Sequence, residues 1–139
     1  MFSPSFSNRA AAYARVEVET GVTTADPHKL ILMLFDGALA SIAVASAAME
    51  RKDIPAKGQA ISRAIEIIAN GLSASLDKEA GGELALRLEA LYEYMTDRLL
   101  HANLHNSVPA LNEVADLLRQ LRSAWEEIGS QVGKASQAA

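Results

Sequence analysis

Apolar residues recur along most of the chain at spacings of three and four, the period of a helix that turns one side inward. Four segments carry this pattern. In the first, Ile31, Leu34, Ala38, Ile42, Ala45 and Met49 share a face. Asp26 before Pro27 opens it: the carboxylate suits an N-cap, and proline fits the first helical position, where its missing N–H leaves nothing unpaired. Arg51-Lys52-Asp53 marks an exposed end. The second segment begins near Ile54-Pro55. Its main stripe is Ile61, Ile65, Ile68, Leu72 and Leu76, and beside it runs a stripe of mostly small residues, Ala60, Ala64, Ile67, Gly71 and Ala74. Gly81-Gly82 is the clearest turn. Leu84, Leu88, Leu91, Met95, Leu99 and Ala102 then line a third helix. Asn106-Ser107 breaks it, with Ser107 as N-cap and Pro109 in the next first turn. Leu111, Val114, Leu118, Leu121, Trp125 and Ile128 line the fourth.

Helices of about twenty residues are about 30 Å long, and breaks of a few residues force neighbours to run antiparallel. The expected fold is all-α: an antiparallel up-down-up-down four-helix bundle over residues 26–130. Residues 1–25 form a mobile N-terminal arm, with a short amphipathic helix around Tyr13 and Val16, and residues 131–139 a frayed tail.

Composition narrows the chemistry. The 139 residues hold 50% hydrophobic and 22% charged side chains, enough apolar material for one folded core. The net charge of −4, with no basic stripe, argues against nucleic acid and anionic membranes as targets. Absence of cysteine excludes disulfide and thiol chemistry and suits a reducing cytosol. No secretory leader is expected from the first residues, and the longest unbroken apolar run, residues 30–35, is too short to span a bilayer.

The candidates for catalysis are weak. His101 and His105, four residues apart, could share a metal, but no carboxylate cluster completes such a site. His28, next to Lys29, is the one candidate for a histidine phosphotransfer module, yet it lies in a first turn without a small residue to clear a docking surface. No serine sits in a nucleophile elbow, and Gly81-Gly82-Glu83 lacks the remainder of a phosphate loop. The expectation is a protein that is not an enzyme and uses no cofactor or metal.

What stands out is apolar surplus. Residues 30–35 go right around their helix, the second helix has its additional small stripe, and the third carries Leu86, Tyr92, Tyr94, Leu100 and Leu104 off its main line. Wide bundle faces covered by the arm would explain this; so would a groove for a guest helix, driven by roughly 25 cal/mol for each Å² buried.

A family resemblance then enters on specific residues: Ala12-Tyr13, Val18, residues 24–38, Lys57-Gly58, Ala64-Ile65, Ile67-Ile68, Leu76-Asp77, Gly81-Gly82-Glu83, residues 91–95, residues 99–104 and Ala124-Trp125. In order and spacing these resemble the flagellin-specific export chaperones of the FliS family, over roughly residues 12–128. The resemblance implies an antiparallel bundle in the bacterial cytoplasm. Its partners would be the C-terminal segment of unassembled flagellin, held against premature polymerisation, and a component of the flagellar type III export gate. It implies an arm that covers part of the cargo surface through Tyr13, with Ala10 standing where a larger aliphatic can occur. Ala60, Ala64, Ile67, Gly71, Leu100 and Leu104 are the residues expected to line the flagellin groove, with Tyr13 and Val16 making the arm contact. A homodimer of the free protein through the same groove is a further expectation.

Overall fold

The computed structural model describes residues 26–138, with side chains described as far as Ser130. Four helices follow one another, and no strand occurs among the described residues: α1 (Pro27–Glu50), α2 (Ile54–Glu66, continued by a π-helical stretch Ile67–Ser73), α3 (Lys78–His105) and α4 (Val108–Ala138). The arm expected over residues 1–25 lies outside the described residues. The helical winding of α4 passes through Gly129 and Gly133 to Ala138.

Each helix starts on a short polar side chain, as the sequence predicts for Asp26 and Ser107; Asp53 and Asp77 are further caps that the structure adds. Asp26 accepts from the His28 N–H at 2.9 Å, Asp53 from Ala56 at 3.2 Å, Asp77 from Ala80 at 3.0 Å and Ser107 from Ala110 at 3.2 Å. Each satisfies a donor that the first turn would leave unpaired. Gly82 takes φ +53° and ψ −129°, a conformation open to glycine, and kinks α3 after its opening turn. The predicted turn is therefore a break within a helix.

Contacts between the helices give the up-down-up-down order directly. Gly37 meets Ile67 and Leu34 meets Gly71, so α1 and α2 are antiparallel. Lys57 reaches Asn103 and Asn106, pairing the start of α2 with the end of α3. Tyr94 and Arg98 both reach Glu113 across α3 and α4. His28 and Asp36 of α1 meet Trp125 and Arg122 of α4, which closes the ring.

The core runs the length of this ring: Phe35, Ile42, Ile61, Ile68, Leu72, Met95, Leu99, Leu111, Val114 and Leu118 are buried, interleaved with buried Ala38, Ala45, Ala60, Ala64, Ala102 and Ala110. α1 has the length and composition of a bilayer-crossing helix, a reading that the short run at residues 30–35 did not suggest. It packs against α2 and α4, with Phe35, Ala38, Ile42, Ala45 and Ala48 buried and Asp36 ion-paired to Arg122 at 2.6 Å.

The π stretch is a departure from the regular second helix that the periodicity predicts. It lies where Gly71 packs on Leu34; a Cβ on Gly71 would come within 3.1 Å of that side chain. A π stretch rotates the residues after it relative to an α-helix. Here Ile68, Gly71 and Leu72 all end up buried.

Candidate partner-binding site

The six residues expected to line a groove do not form one surface. Ala60 is 7% exposed, Ala64 is fully enclosed and Gly71 is buried against Leu34. Ile67 is half-buried, its Cδ1 3.4 Å from the position a Gly37 Cβ would take. The small-residue stripe is thus packed inside this chain, with α1 against its Ile67–Gly71 part. Small side chains do permit close helix approach there, but the approaching helix is the chain's own. Leu100 and Leu104 behave differently: they are 51% and 77% exposed on the outer side of α3.

Beside those two leucines the structure opens a groove of about 600 Å³ between α2 and α3. Its α2 wall carries Ile54, Gly58, Ser62 and Glu66, and Asn103 supplies the α3 wall. Ile54 is 69% exposed. Gly58 has nothing within 4 Å of where a Cβ would stand, so the groove is open above it. Leu100 lies one helical turn before Asn103 and Leu104 directly after it; neither lines the groove itself, but both are exposed on the same helix as its Asn103 wall. Gln59, Ser62, Arg63, Glu66 and Asn103 make most of the trough polar, so an amphipathic helix, with an apolar side for Ile54, Leu100 and Leu104 and polar groups for the trough, suits it better than a wholly apolar one. Helical periodicity points to Leu100 and Leu104 but misses Ile54, Gly58 and Ser62, which lie on the polar side of α2 and carry no apolar stripe to mark them.

The other side of α3 is polar and occupied. Tyr94 donates its hydroxyl to Glu113, and the Arg98 guanidinium donates to the same carboxylate at 2.8 Å. The hydrogen bond from Tyr94, then the one from Arg98, hold the Glu113 carboxyl below its ordinary range, while the bond to Glu113 raises the Tyr94 phenol. Burial pushes the Tyr92 phenol up to about 12. Hydrogen bonds to Asp36 and then Glu126 raise the Arg122 guanidinium further above its already high value.

The histidines are placed against chemistry. The His28 ring stacks on Trp125 with centroids 5.0 Å apart and planes 10° from parallel. Its Nε2 lies 2.5 Å from the Trp125 carbonyl oxygen, and the Trp125 indole N–H donates back to the His28 carbonyl at 3.0 Å. A nitrogen engaged in this way is not presented to a phosphodonor. His101 and His105 are exposed neighbours with centroids 4.5 Å apart. Among the described residues no group of three histidine, cysteine or acidic side chains is placed to hold a metal.

Comparison with known proteins agrees with the helical architecture. The family model described as "Flagellar protein FliS" matches residues 9–132. The flagellar secretion chaperone FliS of Salmonella typhimurium is 52% identical over 117 residues, 84% of this chain and 87% of that protein. FliSB of Pseudomonas aeruginosa, also a flagellar secretion chaperone, is 48% identical over 116 residues, 84% and 91% of the two chains. FliS of Bacillus subtilis is 35% identical over 109 residues, 78% and 80%. A capped four-helix bundle with surplus apolar surface, matched along most of its length at this identity, belongs to the FliS family of flagellar secretion chaperones.

Proposed function

We propose that this chaperone binds the C-terminal segment of unassembled flagellin in the bacterial cytoplasm, hides its apolar face from premature polymerisation, and hands it to a component of the flagellar type III export gate. The observation that carries this reading is three large apolar side chains left in water: Ile54 in the α2–α3 groove, and Leu100 and Leu104 on the helix that forms its other wall. A guest helix laid there would remove these side chains from water. Full burial of a leucine or isoleucine stabilises by about 1.5–3 kcal/mol, so the trio can offset several kcal/mol of the ordering entropy of a disordered tail. No catalytic step or cofactor is needed, since binding alone does the protecting and a competing partner at the gate suffices for release.

The buried stripe of Ala60, Ala64 and Gly71 supports this site from within, by letting α2 seat deeply in the bundle. The arm, with Tyr13 and Val16, is proposed to cover part of the same surface before cargo arrives, and a homodimer of the free protein would use that surface too.

Calorimetric titration of the full chain with a flagellin C-terminal peptide tests the reading. One-to-one binding is expected, with a negative heat-capacity change and a gain of helical circular dichroism. Leu104→Asp combined with Leu100→Asp should weaken binding by about a hundredfold, the loss of roughly two partly buried leucines, with helicity unchanged. A peptide that does not bind, or binds equally well to the double variant, refutes the proposed site.

A further inference from the structure

Lys57 is the one charged side chain that is buried among the described residues, 7% exposed. Its ammonium donates to the Asn103 main-chain oxygen at 2.9 Å and to the Asn106 side-chain oxygen at 2.7 Å. Both acceptors are neutral. No carboxylate lies within ion-pair distance of it among the described residues. An ammonium has three N–H bonds, and two are taken. The end of α3 contributes roughly half a negative charge through its dipole, which leaves the site short of a counter-ion. Buried cations are ordinarily paired with an anion.

A half-enclosed cavity of about 330 Å³ adjoins Lys57 at the end of the bundle where α1 turns into α2 and α3 into α4. Ala48, Met49 and Ile54 make it apolar on one side, and Lys52 adds a second cation. Asp53 also lines it, but one carboxylate oxygen caps α2 through the Ala56 N–H and the other faces Arg51 at 3.6 Å. Ile54 lines this cavity and the α2–α3 groove alike. A chain lying in the groove therefore has the cavity at its side.

We propose that the Lys57 cavity is a carboxylate subsite: it takes an acidic group on an apolar stem, supplied by the chain that occupies the adjoining groove, and so fixes the register of that chain. The source rests on the groove reading of the proposed function; the subsite itself does not. The apolar wall of Ala48, Met49 and Ile54 takes the stem, and the ammonium, already desolvated, takes the oxygen. Register would then be set by one charged contact at the bundle end, while the leucines along α3 supply unspecific drive.

The full chain carrying labelled methyl groups at Met49 and Ile54 provides the readout, with hexanoate as probe and hexanamide as its neutral counterpart. Hexanoate should shift both methyl signals saturably and bind at least about tenfold more tightly than hexanamide, the ordinary advantage of a charge-assisted hydrogen bond. Lys57→Met should erase that preference with the helical spectrum retained, and Lys78→Gln, on α3 away from the cavity, should leave it in place. Equal response to the two probes in the unaltered protein overturns the subsite, whether or not Lys57→Met folds; so does a preference that survives in folded Lys57→Met. A second titration compares the flagellin C-terminal peptide with the same peptide whose acidic groups are amidated. Weaker binding of the amidated form identifies the guest as the carboxylate source, and equal binding overturns that assignment while leaving the groove intact. If neither peptide binds, the groove reading fails, and the hexanoate comparison still decides the subsite.

Discussion

Three glycines in this chain invite the same substitution and should respond with different signs. In a helix interior, glycine to alanine ordinarily stabilises by about 0.5–1 kcal/mol, because alanine loses less backbone freedom. Gly129 should do the opposite. A Cβ there would stand 2.1 Å from Cε1 and 2.3 Å from Nε2 of His28, against ordinary contact at 3.4 Å or more. The ring must retreat by over 1 Å (3.4 less 2.1). That displacement breaks the bond to the Trp125 carbonyl and disturbs the stack. Losing one hydrogen bond removes about 1 kcal/mol and losing the stacked pair about 0.5–1.5 kcal/mol. Set against the gain in helix propensity, Gly129→Ala should destabilise by about 1 kcal/mol. Gly58→Ala, with nothing within 4 Å, should stabilise by about the ordinary 0.5–1 kcal/mol. Gly82→Ala also meets nothing, but at φ +53° it should destabilise by about 1 kcal/mol through backbone strain alone. Urea unfolding of the three variants measures these values. Trp125 is the sole tryptophan, so its fluorescence reports the clamp directly and should shift only in Gly129→Ala. Stabilisation by Gly129→Ala with an unmoved spectrum would show that the His28–Trp125 contact does not hold α4 to α1.

Leu99→Ala, at a fully buried site between α2 and α4, should lower stability by about 2–5 kcal/mol in the same unfolding assay, the range for an emptied core position. Gly58→Ala should weaken the flagellin peptide in calorimetry even as it stabilises the fold, because its methyl enters the groove; an unchanged affinity counts against the α2 wall as contact surface. Glu113 titrates below its ordinary range, so its stabilising contribution is complete above that range and is lost as pH falls through the lowered value. Tyr94→Phe removes the largest cause of the lowering, and carboxyl NMR titration should find Glu113 titrating at higher pH than in the unaltered chain; no movement would mean that Arg98 alone sets it.

Sequence alone determined the number of helices, the starts of three of them and most of the residues that face inward; the third begins at Lys78, ahead of the Gly81-Gly82 turn expected to precede it. Those properties are local: an aspartate or serine caps the turn that follows it, and a three-four spacing puts side chains on one face whatever lies opposite. Asp26, Asp53 and Ser107 begin their helices, and Leu99, Leu111, Val114 and Leu118 are buried, for these reasons. Of the proposed site, only Leu100 and Leu104 were legible, as apolar residues off the main stripe that the structure leaves exposed. Tertiary structure decided the rest. Periodicity shows that α2 has two apolar stripes but not that the second belongs to the chain's own interior, since a helix face looks the same whether its neighbour comes from within or arrives as a guest. Ile54, Gly58 and Ser62 become a groove wall only because α3 passes beside them, and Lys57 loses its water only because the end of α3 closes over it. Such juxtapositions depend on residues some forty or more positions apart, a distance at which helical period carries no information.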